Sequence, residues 1–252
     1  MRTAAEAAWR WAQANPKVIY RQPPDIHTGG YDDSELGDEF AWAAAELFVT
    51  TREPAYLAAV GLPTLAIGVP GWNSVAALAW VTLAQHRALL PDEAMQRQVV
   101  HRVGAEATRL AARLPGSAWR VGLQAEDFHW GSSGHAMNMA LMLLQGVRLG
   151  GPRSQLDAAQ ALLDFVLGRN PLGISFVTGF GERATRHPHH RPSMADGVDA
   201  PVPGWLAGGP NAGNSSTSTS GASESRRASS SRSMPSSVFP RANSCSKWIS
   251  RP

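Results

Sequence analysis

An all-α fold is what this sequence predicts, and three observations carry the prediction. Apolar residues recur at helical spacing in one segment after another, and Pro, Gly or Asn closes most of these segments. The breaks between segments are mostly short, as they are between antiparallel helical neighbours. No alternation of strand-like and helix-like segments is present, and no GxGxxG, Walker A or GxSxG motif. A nucleotide-binding sheet and a serine-hydrolase elbow therefore have no support.

Taken in order, residues 1–15 are Ala-rich, carry Trp9 and Trp11, and end at Asn15-Pro16. They predict a first helix. Glu6 and Arg10 interrupt any apolar stretch of the kind a signal peptide needs, so localisation is left open. The run begins without a capping residue, which is how a chain looks when it starts inside a domain. Residues 17–37 read as loop, and Asp38-Glu39 opens the helix EFAWAAAELFVT. Two readings of these acids stand. They cap and complement the helix dipole, or they join Ser34 as oxygen ligands for calcium.

Residues 53–61 predict a short helix. Residues 71–89 predict a longer one, with Trp72, Val75, Leu78, Ala79 and Leu83 near one face. Pro91-Asp92-Glu93 starts the next, which Pro115-Gly116 stops. His86 and His101 lie on helices without partners in sequence and read as solvated or core residues. Residues 119–128 are irregular. Trp130 follows on a Gly/Ser loop, ahead of the helix HAMNMALMLLQGVRL. Met137, Leu141, Met142 and Leu144 read as core packing on that helix. Trp130 stands at its mouth, where it either lines a cleft or plugs a core. Residues 156–167 form the last predicted helix, with Gly168 as its C-cap.

Composition narrows the function. The single cysteine, Cys245, excludes an internal disulfide and a multi-cysteine metal site. No apolar run is long enough to span a bilayer. The isoelectric point near 9.5 suggests nucleic acid at first sight. Residues 214–252, however, carry six bases against one acid, which leaves the rest of the chain slightly acidic. No basic face is implied, so neither nucleic acid nor membrane is expected as a partner.

The chemistry concentrates in residues 170–211, a long Gly-, Pro- and His-rich stretch without sustained helical period, apart from a strand pair expected around 174–180. His187, His189 and His190 sit between Arg186 and Arg191. Three readings compete here. They are a solvated basic loop, a zinc site poor in acids, and a clamp of fixed imidazole and guanidinium donors for a hydroxyl-rich ligand.

Ser175-Phe176-Val177-Thr178, then Gly181, Arg183 and Pro188-His189-His190-Arg191, resemble the histidine signature of the family 9 glycoside hydrolases, mainly cellulases. Residues 164–173 (DFVLGRNPLG) and 205–211 (WLAGGPN) look like its flanks, and Trp130-Gly131-Ser132 is similar to the family's Trp-Gly-Ser. Residues 12–15 and 34–50 look like the branch that bears an immunoglobulin domain. The resemblance covers roughly residues 3–213. It implies a partial (α/α)6 barrel of paired helices with a long functional loop, and inverting hydrolysis of β-1,4-glucan by a carboxylate and a carboxylic acid. It also implies a polysaccharide partner and, as in most of the family, secretion. His189 falls on the signature histidine, Arg191 on a sugar-contacting arginine and Trp130 on an aromatic platform. Ser34, Asp38 and Glu39 look like the family's calcium ligands, and one further family ligand, an Asp, aligns with Ser74. A structural calcium and no organic cofactor are expected.

The departures shape the expectation as much. The family's paired Asp belongs to an Asp-Ala-Gly-Asp motif that this chain lacks, and its acidic Glu to an Asn-Glu context that does not follow Asn211. The chain is thus expected to hold a partial catalytic domain, residues 1–213, without the catalytic Asp and Glu. The segment 214–252 has Ser at 15 of 39 positions and the composition of a disordered tail. A shifted reading frame in a GC-rich gene accounts for such a run, with a genuine linker as the alternative. Reading the next coding frame for an Asn-Glu-containing helix separates the two.

Overall fold

The structure is a computed structural model that describes residues 1–26, 33–117, 119–188 and 190–212, with only the backbone of Met194. The expected tail, 214–252, lies outside the described residues. Eight α-helices are present among them: α1 (Arg2–Ala14), α2 (Gly37–Thr51), α3 (Pro54–Ala59), α4 (Ala76–Gln85), α5 (Glu93–Ala111), α6 (Ser132–Arg148), α7 (Arg153–Val166) and α8 (Arg191–Ala195). Two 3-10 turns, Arg87–Leu89 and Ala125–Asp127, complete the set. No strand forms among the described residues, only three isolated bridges.

The chain divides into two compact units. The first holds Met1–Ala112 and Asn138–Ala159, the second Arg113–Met137 and Gln160–Pro252. In the first, α2 packs on α1, α3 and α4, and α4 on α5. Trp9, the one buried residue of α1, meets Phe40 and Tyr56 edge-on at 5.7 and 5.8 Å. Trp80 is fully buried, with its indole N–H donating to the Ala66 carbonyl at 3.0 Å and the Arg102 guanidinium 5.1 Å over its ring. A buried indole needs such a partner for its one polar atom. Asp92 caps α5 by accepting from the Met95 amide at 2.8 Å, as the Pro-Asp-Glu start predicts.

Three expectations change. The helix predicted over 71–89 is shorter, because Gly71–Ser74 closes a turn through the Gly71 amide and the Ser74 carbonyl at 2.8 Å. Trp72 therefore stands on that turn, 61% exposed, rather than on an apolar helix face. On α6 the buried face is Ala136, Met139, Ala140, Met142 and Leu143, while Leu141 and Leu144 are exposed. Of the residues expected to pack, only Met142 is buried, since helical spacing fixes a stripe but not which stripe faces the core. Residues 174–180 make no strand pair with each other. They bridge to segments further along, at Ser175–Ala184 and Val177–Leu206.

Candidate functional site

The long loop belongs to the second unit and starts from a well-made helix end. At the close of α7, the Arg169 amide bonds the Asp164 carbonyl at 2.8 Å and the Gly168 amide bonds that of Phe165 at 3.3 Å. Gly168 is left-handed at φ +119°. This is the 6→1, 5→2 pattern of a glycine C-cap, as expected. Asn170 then organises the turn. Its buried amide donates to the carbonyls of Phe165 (2.7 Å) and Ile174 (2.8 Å), and its carbonyl accepts from the amides of Leu172 and Ile174.

Residues 175–178 form a central rail. The Ser175 amide bonds the Arg183 carbonyl on one side, and the Ser175 carbonyl accepts from both the amide and the hydroxyl of Thr185. On the other side the Ala207 amide reaches the Phe176 carbonyl at 2.7 Å, and the Thr178 amide reaches that of Trp205 at 2.9 Å. The buried Thr178 hydroxyl donates to Val202 and accepts from the Trp205 amide. Phe176, fully buried, packs on Phe165, which meets Phe128 edge-on. Gly179, at φ +75°, lies against Pro203, which a Cβ would meet at 2.9 Å.

Residues 202–212 tie the predicted sugar-contacting elements to this rail. Trp205 stacks on the His190 ring at 4.1 Å between centroids, and His190 Nδ1 lies 2.8 Å from the Ser193 hydroxyl. His190 is the N-cap of α8, a helix the sequence does not announce, so Arg191 opens that helix with its side chain exposed. Further along, the Ser133 amide donates to Gly208, the Ser132 hydroxyl to Pro210 at 2.6 Å, and the Ala212 amide to Phe128. Gly209 is pressed on the start of α6 so closely that a Cβ would lie 2.3 Å from the Ser133 hydroxyl. Trp130 stands two residues before that docking point and is 71% exposed. Among the described residues no hydrogen bond or ring contact joins Trp130 directly to Arg191. His189 lies outside the described residues, and His187 is exposed.

Beneath Trp130 is a cluster that sequence reading missed. Asp127, buried, accepts from Arg113 Nη1 at 3.0 Å, from the Gln124 amide at 2.8 Å and from His135 Nε2 at 3.2 Å. Burial pushes its carboxyl up, but the His135 bond, the Gln124 amide and the Arg113 charge outweigh it and hold the pKa below the usual range. An Asp in an irregular, polar stretch gives no sign of this in sequence. Of the acids nearer the loop, Asp196 does what a turn predicts by accepting from the Val198 amide, whereas the exposed Asp199 pairs with Arg186.

The predicted calcium ligands sit in the first unit. Asp38 accepts from the Val75 amide at 2.6 Å, one residue after Ser74. Glu39 is pushed up to about 6, by burial first and then by the neighbouring Asp38 carboxyl. Asp38 is held below its usual range, where the Val75 amide and its contact with Glu39 overcome burial. One buried oxygen of Glu39 and one of Asp33 have no hydrogen-bond partner, while Ser34 is exposed. Among the described residues no three His, Cys, Asp or Glu side chains are gathered around one point. Two adjacent carboxyls, one with an orphaned buried oxygen and a raised pKa, nevertheless suit a hard cation, which takes oxygen ligands and displaces protons.

The family model described as Glycosyl hydrolase family 9 matches residues 1–234. The xyloglucan-specific endo-β-1,4-glucanase of Bacteroides ovatus is 35% identical over 228 residues, covering 83% of this chain and 38% of that protein. Endoglucanase C of Cellulomonas fimi is 36% identical over 220 residues, covering 82% of this chain and 20% of its own length. Among solved structures, a single mutant of a thermostable endoglucanase from Alicyclobacillus acidocaldarius matches with a TM-score of 0.74 at 36% identity, covering 83% of this chain and 40% of its own. The chain thus spans about two fifths or less of these relatives. The all-α class and the partial paired-helix barrel are borne out by these matches.

Proposed function

The chain belongs to glycosyl hydrolase family 9, and from that premise we propose that it is a glycosidase chain of endo-β-1,4-glucanase type, supplying the sugar-binding side of the site. One observation carries the proposal. Residues 202–212 brace, on a single segment, both the turn that holds the exposed Trp130 and the His190 that caps the helix opened by Arg191. An exposed indole and an exposed guanidinium on a rigid backbone are what a polyol chain requires: a face for its C–H groups and a forked donor for its hydroxyls. In this reading His189 contacts the reacting sugar, Arg191 binds its hydroxyls and Trp130 stacks an adjacent unit. Ser34, Asp38 and Glu39 hold a structural calcium, and the partner is a β-glucan.

Turnover is a separate matter. An inverting glycosidase needs two carboxyls about 6.5–9.5 Å apart on opposite faces of the scissile bond. Among the described acids of the second unit, Asp127 is bound by Arg113 and His135, Asp164 pairs with Arg169, Asp196 accepts from the nearby Val198 amide, Asp199 pairs with Arg186, and Glu126 and Glu182 are exposed. The alternative reading, a non-catalytic remnant of the same family, has this chain bind β-glucan without hydrolysing it. The test is reducing-sugar release from carboxymethyl cellulose by the purified chain beside a His189→Ala control. The expected rate equals that of buffer. Turnover that His189→Ala abolishes would place a catalytic carboxyl within the chain and overturn the non-catalytic reading.

A further inference from the structure

We propose that Asp127 and His135 are positioning residues for the Trp130 sugar platform, acting through His129. The proposal rests on the reading of Trp130 as a saccharide-stacking surface. Trp130 is 71% exposed, so core packing does not aim its indole. The direction of the ring is left to the backbone that carries it. That backbone is a tight turn, with the Ser132 amide on the His129 carbonyl at 3.1 Å and Gly131 left-handed at φ +86°. The Trp130 carbonyl lies 2.8 Å from His129 Nδ1. A carbonyl only accepts, so Nδ1 carries the proton and the His129 ring holds the peptide between Trp130 and Gly131.

The His129 ring is exposed and is itself held by His135, edge to face at 5.1 Å and 68°. His135 is half-buried on the first turn of α6, and its Nε2 points to Asp127 Oδ1 at 3.2 Å. The acceptor here is a carboxylate, so Nε2 carries the proton and the ring plane is fixed. The relay ends in a carboxylate that does not move. Asp127 is buried and bound at once by Arg113, the Gln124 amide and His135. Arg113, itself largely buried, leaves α5 at its end and anchors the whole set. From this fixed carboxylate two rings in series run to the Trp130 carbonyl, and so to the backbone that aims the exposed indole.

The experiment uses the full chain with Asp127→Asn and His135→Phe, each alone and combined with Trp130→Ala. The Phe retains the ring against His129 and removes the bond to Asp127. Affinity for a soluble β-1,4-gluco-tetrasaccharide is measured by calorimetry. Acrylamide quenching of the Trp130 component is taken from the difference between each protein and its Trp130→Phe counterpart. Each single variant is expected to weaken binding about tenfold, the scale of ordering one side chain, and to raise Trp130 quenching about twofold. In the Trp130→Ala background neither variant should weaken binding further. An equal loss with and without Trp130 would overturn the relay, as would unchanged quenching. If Trp130→Ala leaves affinity unaltered, or the chain does not bind, the platform reading fails and quenching alone decides whether the relay aims the ring. Should Asp127→Asn lose its cooperative melt, His135→Phe carries the test.

Discussion

At the scale of single residues, two side chains convert buried polar chemistry into measurable stability. Asn170 satisfies four backbone groups of one turn from a site only 6% exposed. Asn170→Ala takes that partner from the Leu172 amide and from the Ile174 amide and carbonyl, while the Phe165 carbonyl keeps the Gly168 amide, and each buried orphan costs about 1–3 kcal/mol. The urea midpoint is expected to fall by an amount matching at least one such loss, with an unchanged slope. Glu39 is the second case. A carboxyl whose folded pKa lies above its unfolded value favours the fold while protonated. Its contribution is complete below 4.5 and is lost as pH rises through about 6. Without metal, the melting midpoint should therefore fall between about pH 5 and pH 7. Millimolar calcium should remove that fall, because a bound cation takes the place of the Glu39 proton. A midpoint in chelator that is flat over this range, or one that calcium does not move, would count against the site.

At the scale of elements, the 202–212 segment depends on glycines where backbone meets backbone. Gly209 has φ +89°, and a Cβ there would lie 2.8 Å from the Ser133 amide nitrogen as well as against both serine hydroxyls. The hydroxyls can turn, whereas the amide cannot. Gly209→Ala is expected to cost about 2–4 kcal/mol from overpacking and left-handed strain. It should also detach the segment from α6, so that faster proteolysis within 202–212 accompanies the loss of stability. Gly204→Ala is the control. Gly204 is left-handed too, at φ +93°, but has open space around it, so only the strain is paid. Equal losses for the two would show that close packing on α6 is not what holds the segment.

At the scale of the whole molecule, the first unit has an apolar groove of about 550 Å³ between α1 and α2, walled by Trp9, Trp11, Phe40, Ala43 and Leu47. Trp11 is 58% exposed. Apolar surface of this kind favours association in water. The chain is expected to self-associate at micromolar concentrations by light scattering, and Trp11→Lys to lower the apparent mass. A monodisperse monomer with a sharp melt would show that the groove does not drive association.

What the sequence determined by itself is the local and the compositional. Caps, breaks and helical period place α1, α2, α5 and α7, because Asp92, Pro115 and Gly168 act within a turn of their own positions. The signature around His189 and the Trp-Gly-Ser turn were legible for the same reason, being contiguous in the chain. What only the tertiary structure decided involves partners distant in sequence. Met139 rather than Leu141 faces the core of α6, and Val177 pairs with Leu206 instead of a near neighbour. Trp205 reaches back to His190, and Asp127 takes Arg113 from one side and His135 from the other. Periodicity shows that a residue has a face and turn chemistry shows that a chain reverses. Neither carries the register between segments, which packing and buried hydrogen bonds settle when the chain folds.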